Sequence, residues 1–425
     1  MIAWLLISFF VLLFLGVPIA MSLGLSAMGG ILFLGGGSTV TIAQRMFEGM
    51  NSFALLAIPL YTFAGFTMSK GGISKRLMDF CYSIVGHIYG GLAHVNVLSS
   101  MIFAGISGSA VADTAGVSGM FMPEMIRKGY SKNFTVAVTA ISSTIGIIIP
   151  PSIPMVVIAG ICGISTGKLF LGGIIPGILC GLAQMIVSYF LAKKEGVPKE
   201  PGHFTIGPVL HGLWESWPAL LMPIIIVGTI TMGIVSPTEA GVIAVVYGLF
   251  AGGIIYRELK WEDIKFAFAE TVRTSGRIFI VIGAAKLYTV MLTTAGFDKW
   301  VAKTMLGFST NPTFILIMIL LIFFIVTMFM ESIATLTLFM PILYPIALGV
   351  GINPIVLSVL ITVVIGIGLV TPPVGMCIYV ACDLMDTTVG EVFPTLVPFI
   401  AATFVCIALM VAFPQLILLP TYLMA

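Results

Sequence analysis

Long apolar runs separated by short polar breaks dominate the chain. They extend from Met1 to Leu34, Phe53 to Met68, Phe80 to Ser100, Phe134 to Ile161, Leu169 to Ala192, Trp217 to Val235, Ala240 to Tyr256, Ile278 to Leu292, Thr313 to Phe329, Ile355 to Ala381 and Phe393 to Leu423. A helix satisfies every backbone hydrogen bond internally, and about 20 residues of it cross a hydrocarbon core. The pattern therefore predicts an all-α polytopic membrane protein. The longest polar break, KKEGVPKEPGHFTIGPVLH from Lys193 to His211, predicts a surface linker over about 193–212 between an N-terminal half, 1–192, and a C-terminal half, 213–425. A second charged stretch, RELKWEDIKFAFAETVRTSGR from Arg257 to Arg277, predicts an amphipathic arm at the interface in place of a span. The N-terminal run MIAWLLISFFVLLFLGVPIAM has no basic region ahead of it and predicts a retained first helix.

The two halves share a weak repeat, a feature of transporters built from two copies of one unit. MSKGGISKRL from Met68 matches LTTAGFDKWV from Leu292, aligning Gly72 with Gly296 and Lys75 with Lys299. FMP at Phe121 to Pro123 recurs as Phe339 to Pro341, which sets Asp113 opposite Glu331. Pro150 and Pro151 recur as Pro372 and Pro373, pairing Gly146 with Gly368 and Pro176 with Pro398. The sequence leaves open whether the copies are inverted.

Composition narrows the function. Hydrophobic residues make up 59% and charged residues 8% of the 425, against roughly 25% charged in a soluble domain, so almost nothing remains for an extramembrane domain. The 19 basic and 17 acidic residues build no basic face, which excludes nucleic acid as a partner and leaves membrane lipid as the surroundings. Cys81, Cys162, Cys180, Cys377, Cys382 and Cys406 lie in apolar segments without CxxC spacing and read as small buried hydrophobes.

Between Asp79 and Arg127, one span leaves LSSMIFAGISGSAVADTAGVSGMFMPE, Leu98 to Glu124, too short to cross twice. Its small residues predict a re-entrant hairpin, about 98–125, with a tip near Ser107 to Ser109; the alternative is one kinked helix packed closely on a neighbour. The counterpart TMFMESIATLTLFMP from Thr327 predicts a second hairpin, about 327–345. Asp113 and Glu331 sit in apolar surroundings, where an ionised acid costs about 2.5 to 3.5 kcal/mol at mid-bilayer. Either they help bind a cation or polar solute, or they hydrogen-bond the backbone at a tip; Lys286 and Asp383 raise the same question near the ends of their runs. The double prolines within TIGIIIPPSIPMV and IGLVTPPVGMC predict two broken helices, about 134–166 and 355–385, that free carbonyls for a cation and expose positive half-helix ends to an anion.

Two other patterns carry little. GISG at Gly105 to Gly108 matches the GxSG of intramembrane serine proteases, but His87 and His94 precede the serine and His203 and His211 lie in the linker. GISTGK at Gly163 to Lys168 lacks phosphate-loop spacing.

SGSAVADTAG at Ser107 to Gly116, IIPPSIPMV at Ile148 to Val156, SPTEAGVIAVVY at Ser236 to Tyr247 and GLVTPPVG at Gly368 to Gly375 resemble the large membrane subunit of a TRAP transporter, a tripartite ATP-independent periplasmic system, over essentially the whole length. The resemblance implies an inverted-repeat ion-transporter fold with two re-entrant hairpins and two Pro-Pro-broken helices, working as an elevator in the bacterial inner membrane. It implies sodium-driven uptake of an acidic organic solute such as sialic acid or a C4-dicarboxylate, and no enzyme activity. It also implies two partners, a small four-helix membrane subunit and a periplasmic solute-binding protein. By the same resemblance, Ser107, Gly108, Ser109, Gly146 and Pro150 form one sodium site, and Thr327, Gly366, Thr371 and Met376 the other. Solute lies near Ser109, Asp113, Ser152, Glu331 and Thr335. Many members carry Asp where this chain has Glu331, and no Arg is evident near the tips to balance an anion. The rival readings are a stand-alone dicarboxylate symporter or a cation/proton antiporter of the same superfamily.

Overall fold

The computed structural model describes residues 1–34, 39–197 and 205–424. Among these residues every regular element is helical, and seven helices are long and apolar enough to cross a membrane. The predicted linker falls partly outside the described residues. On its N-terminal side the helix Thr166–Glu195 runs on to Glu195, and on its C-terminal side Ile206–Thr231 begins ahead of His211; His203 lies outside the described residues.

The first apolar run is two helices, not one. Ile2–Phe14 and Ile19–Leu34 are separated at Gly16, whose φ is +81°, and Pro18, and they fold back on each other. The Ser26 hydroxyl donates to the Leu5 carbonyl at 2.9 Å, and the Trp4 indole donates to the Ser26 carbonyl at 3.2 Å. With Trp261–Thr294 they close a separate apolar cluster around Leu5, Leu23, Ala284 and Tyr288. The predicted arm is the N-terminal part of that 34-residue helix. No proline interrupts it, and Asp263 caps it by accepting the Lys260 N–H at 3.0 Å. Phe266 and Phe268 then pack edge-on against Phe66 and Phe63.

The repeat is visible element by element. Ala57–Lys70 and Ile73–Val85 meet at Gly72, φ +79°, as Trp261–Thr294 and Phe297–Phe308 meet at Gly296, φ +80°. Only glycine takes that left-handed turn at low cost, which explains the matched pair. The side chain of Lys75 lies outside the described residues. The first hairpin is Gly91–Ser107 with Ala110–Arg127, and the second is Pro312–Thr327 with Ser332–Gly349. Both are longer than the predicted 98–125 and 327–345. Gly86 to Gly90 break the apolar run from Phe80, so the first limb starts at Gly91, and the run assigned as a separate span before Thr327 is the second hairpin's own first limb.

The first broken helix comprises Lys132–Ser143, a tight turn Thr144–Ile147 and, past the prolines, Ile153–Cys162. The second comprises Pro354–Gly368 and Met376–Asp383. The Pro150–Pro151 and Pro372–Pro373 peptide bonds are both cis. Each half then closes with a long helix, Thr166–Glu195 or Val389–Ala412, and these two pack on each other. The second limb of each hairpin packs against the distal half-helix of the opposite half: Ala110–Arg127 on Met376–Asp383, and Ser332–Gly349 on Ile153–Cys162. One continuous core, including Met122, Val156, Leu336 and Ile378, fills the space between.

Candidate functional site

The first tip turns in two residues. Gly108 follows the first limb with a φ of +66°, and Ser109 caps the second, its hydroxyl accepting the Ala112 N–H. A Cβ at Gly108 would lie 2.6 Å from the Pro151 carbonyl oxygen, so the tip rests directly on the break. The Ile153 N–H, just beyond the prolines, donates to the Gly108 carbonyl at 3.2 Å. Pro150 itself is close by, its carbonyl 3.7 Å from where a Cβ on Gly105 would stand.

Asp113, 3% exposed, lies one turn into the second limb. Its Oδ1 accepts from the Ser107 hydroxyl. Its Oδ2 is buried with no hydrogen-bond partner among the described residues. That oxygen points at Gly146, where a Cβ would collide with it. The structure thus brings Ser107, Gly108, Ser109, Asp113, Gly146 and Pro150 together, and an acceptor without a donor at such burial favours a cation. Ser152 is fully buried and occupied locally: it donates to the Ile147 carbonyl at 2.5 Å and caps Met155 at 3.3 Å.

The second tip takes four residues, Met328 to Glu331. The Val374 N–H beside the second double proline donates to the Met328 carbonyl at 2.9 Å, the counterpart of the Ile153 to Gly108 bond. Glu331 is the N-cap of Ser332–Gly349: Oε2 accepts from the Ile333 and Ala334 N–H groups at 2.9 and 3.3 Å, and Oε1 accepts from the Ser332 hydroxyl at 2.7 Å. Thr335, fully buried, donates to the Glu331 carbonyl at 3.1 Å.

One of the predicted pairings is corrected. Ser109 and Glu331 are the equivalent caps, which makes Thr335 the counterpart of Asp113. Aligning FMP with FMP slips the hairpins by about one helical turn, a shift that returns residues to the same helix face and so preserves the apolar pattern. A Cβ on Gly366 would lie 3.3 Å from the Thr144 Cβ of the first break. The glycine against Thr327 is Gly368, whose Cβ would lie 2.6 Å from the Thr327 Cβ. Thr327 donates to the Phe323 carbonyl at 2.5 Å and Thr371 to the Ile367 carbonyl at 2.7 Å, while Met376 opens the half-helix after Gly375.

Sequence reasoning missed Cys377. Fully buried, it is the second residue of that half-helix, which packs on the second limb of the first hairpin. Only the crossed packing of limb on half-helix could reveal this. The protease geometry is absent among the described residues, because Ser107 is paired with Asp113 while the His94 ring nitrogen Nε2 bonds the Tyr89 carbonyl at 3.1 Å.

Residues 6–416 match the family described as "Tripartite ATP-independent periplasmic transporter, DctM component". The chain is 37% identical over 393 residues to the isethionate TRAP transporter permease protein DctMQ of Oleidesulfovibrio alaskensis, covering 92% of this chain but only 62% of that longer protein. It is 35% identical to the sialic acid TRAP transporter large permease protein SiaM of Vibrio cholerae, covering 96% of this chain and 95% of that one. The C4-dicarboxylate TRAP transporter large permease protein DctM of Pseudomonas aeruginosa is also 35% identical, with 95% and 94% covered. Among solved structures, the Alcanivorax borkumensis YdaH transporter superposes with a TM-score of 0.60 at 12% identity over 87% of this chain and 86% of that one. Neisseria gonorrhoeae MtrF superposes at 0.59 and 13% identity over 88% and 84%. These two structures share the fold alone. The chain therefore belongs to the DctM family of tripartite ATP-independent periplasmic transporters: it is a large permease, a multi-pass membrane protein and not an enzyme.

Proposed function

We propose that this permease couples inward sodium movement to uptake of a small organic acid across the bacterial inner membrane, with a small membrane subunit and a periplasmic solute-binding protein as partners. The observation that carries the sodium reading is the buried, unpartnered Asp113 Oδ2 beside a tip bonded to its own double-proline break. Sodium takes hard oxygen ligands, and the Ser107 and Ser109 hydroxyls, the carbonyls of the break and this carboxylate supply them. The second ion position uses Thr327, Gly366, Thr371 and Met376, with Gly368 packed against Thr327. The organic-acid reading rests on the curated relatives, named for isethionate, sialic acid, C4-dicarboxylate and 2,3-diketo-L-gulonate, all of them anions. The hairpins are re-entrant in this reading, and the tips travel with the broken helices as one elevator body because backbone bonds join them.

The test is uptake of labelled sialic acid, C4-dicarboxylates and isethionate into proteoliposomes holding the permease and its small subunit, with and without the binding protein, under an inward sodium gradient. Uptake that needs both sodium and the binding protein is expected. Uptake without the binding protein would instead assign a stand-alone carrier, and indifference to sodium would remove the ion sites.

A further inference from the structure

A cavity of about 430 Å³ opens between Thr39–Met50 and Trp261–Thr294 on one side and Ile153–Cys162 and Ser332–Gly349 on the other. None of the tip residues named above lies on its wall. Two cations do, Arg45 and Lys286, with one carboxylate, Glu48. Glu48 reaches both, at 2.7 Å to Arg45 and 3.9 Å to Lys286. A single carboxylate leaves the group with one positive charge in excess.

Three further features suit an anion. Lys286 sits well inside the 34-residue helix, not at its end as its apolar run implied, and it stays 40% exposed because the cavity reaches it. Its stem is accommodated by Gly49, where a Cβ would lie 2.6 Å from the Lys286 Cβ. Thr289, one turn along the same face, is 5% exposed, lines the cavity, and its Oγ1 has no hydrogen-bond partner among the described residues. A carboxylate or sulfonate is an acceptor-only group and takes such a hydroxyl proton and an ammonium or guanidinium donor together. The first half has no equivalent: the repeat offset that joins Gly72 to Gly296 places Thr62 opposite Lys286, and Thr62 donates to its own helix at the Ile58 carbonyl.

We propose that Lys286, with Arg45 and the Thr289 hydroxyl, forms a subsite for the carboxylate or sulfonate of a small organic acid. This rests on the transport reading for its physiological ligand and supplies the positive partner missing at the tips. Glu48 is the counter-ion that an arriving anion replaces. Because its walls come from both halves, the cavity lies where the solute passes between the helix Trp261–Thr294 and the second hairpin's limb.

The test has two arms on the complex of permease and small subunit. In the first, Thr294→Cys at the cavity wall, in a Cys162→Ala background, is labelled with the sulfonatoethyl or the trimethylammonioethyl methanethiosulfonate. The anionic reagent is expected to be favoured by about tenfold relative to a free thiol, the scale of one charge-assisted hydrogen bond. K286Q should abolish that preference, R45Q reduce it and E48Q strengthen it. An unchanged preference in K286Q overturns the proposal. In the second arm, for whichever panel acid the wild type imports, K286Q should raise KM by about tenfold or more, with K286R restoring most of it. Full uptake affinity in K286Q likewise overturns the subsite. Labelling that responds to Lys286 in a wild type that imports no acid would leave the subsite standing and sink the transport reading. Should K286Q fail to assemble with the small subunit, R45Q and E48Q, expected to move the preference in opposite directions, decide the first arm.

Discussion

The first hairpin turns through Gly108 and Ser109, whereas the second takes the four residues from Met328 to Glu331. In both, the carbonyl of the first tip residue accepts from an N–H just beyond a double proline, so the link between tip and break is repeated. The carboxylates are not. Glu331 spends its oxygens on capping its own helix, while Asp113 keeps one buried oxygen free. Equivalent-looking acids in a duplicated sequence thus have different surroundings: one finishes a helix, the other leaves a buried oxygen unpartnered among the described residues.

The comparison can be broken most severely at Gly108. Gly108→Ala forces a left-handed alanine, about 1 kcal/mol or more, and drives its Cβ against the Pro151 carbonyl 2.6 Å away. Uptake should fall by more than about tenfold, and the complex should melt lower in a thermal-shift assay; wild-type uptake would mean that the tip does not need the break. Next in size is Asp113→Asn, which keeps the shape but removes the charge. Sodium-dependent uptake should drop by about tenfold with little change in melting temperature, measured as the sodium dependence of the initial rate. Glu331→Ala should do the reverse, costing about 1 kcal/mol of stability through the lost cap while leaving the sodium dependence nearly unchanged. A collapse of sodium dependence there would make the two acids alike after all. Met328→Ala is the smallest change: its backbone φ is −62°, within reach of any residue, and the bond it makes is through its carbonyl, so both stability and uptake should stay near wild type.

The helical character, the two broken helices and the first tip at Ser107 to Ser109 were legible in the sequence because each depends on local chemistry. An apolar run longer than a bilayer is thick predicts a helix, two prolines interrupt one, and a glycine between serines turns one back. The hairpin lengths were less legible. Gly86 to Gly90 interrupt the run after Phe80 in a way that hydropathy averages away, and the second hairpin's first limb reads as an ordinary span. The stretch from Arg257 to Arg277 runs on into the helix Trp261–Thr294, because charge density marks solvent contact, not the end of a helix. The pairing of Asp113 with Glu331 failed for a related reason, since a shift of one turn keeps every apolar residue on its face.

What the sequence alone determined is the helical character, the two double-proline breaks and the family, all encoded in residue type and spacing along the chain. Which oxygen is left free depends on neighbours distant in sequence, and only the tertiary structure decided it. Gly146 stands against Asp113, Gly368 against Thr327, and Glu48 between Arg45 and Lys286 because helices from different parts of the chain pack there. Hydropathy records that a residue is buried in the membrane protein, but the charge and hydrogen-bond balance of a site is a sum over contacts that exist only once separate helices have packed on each other.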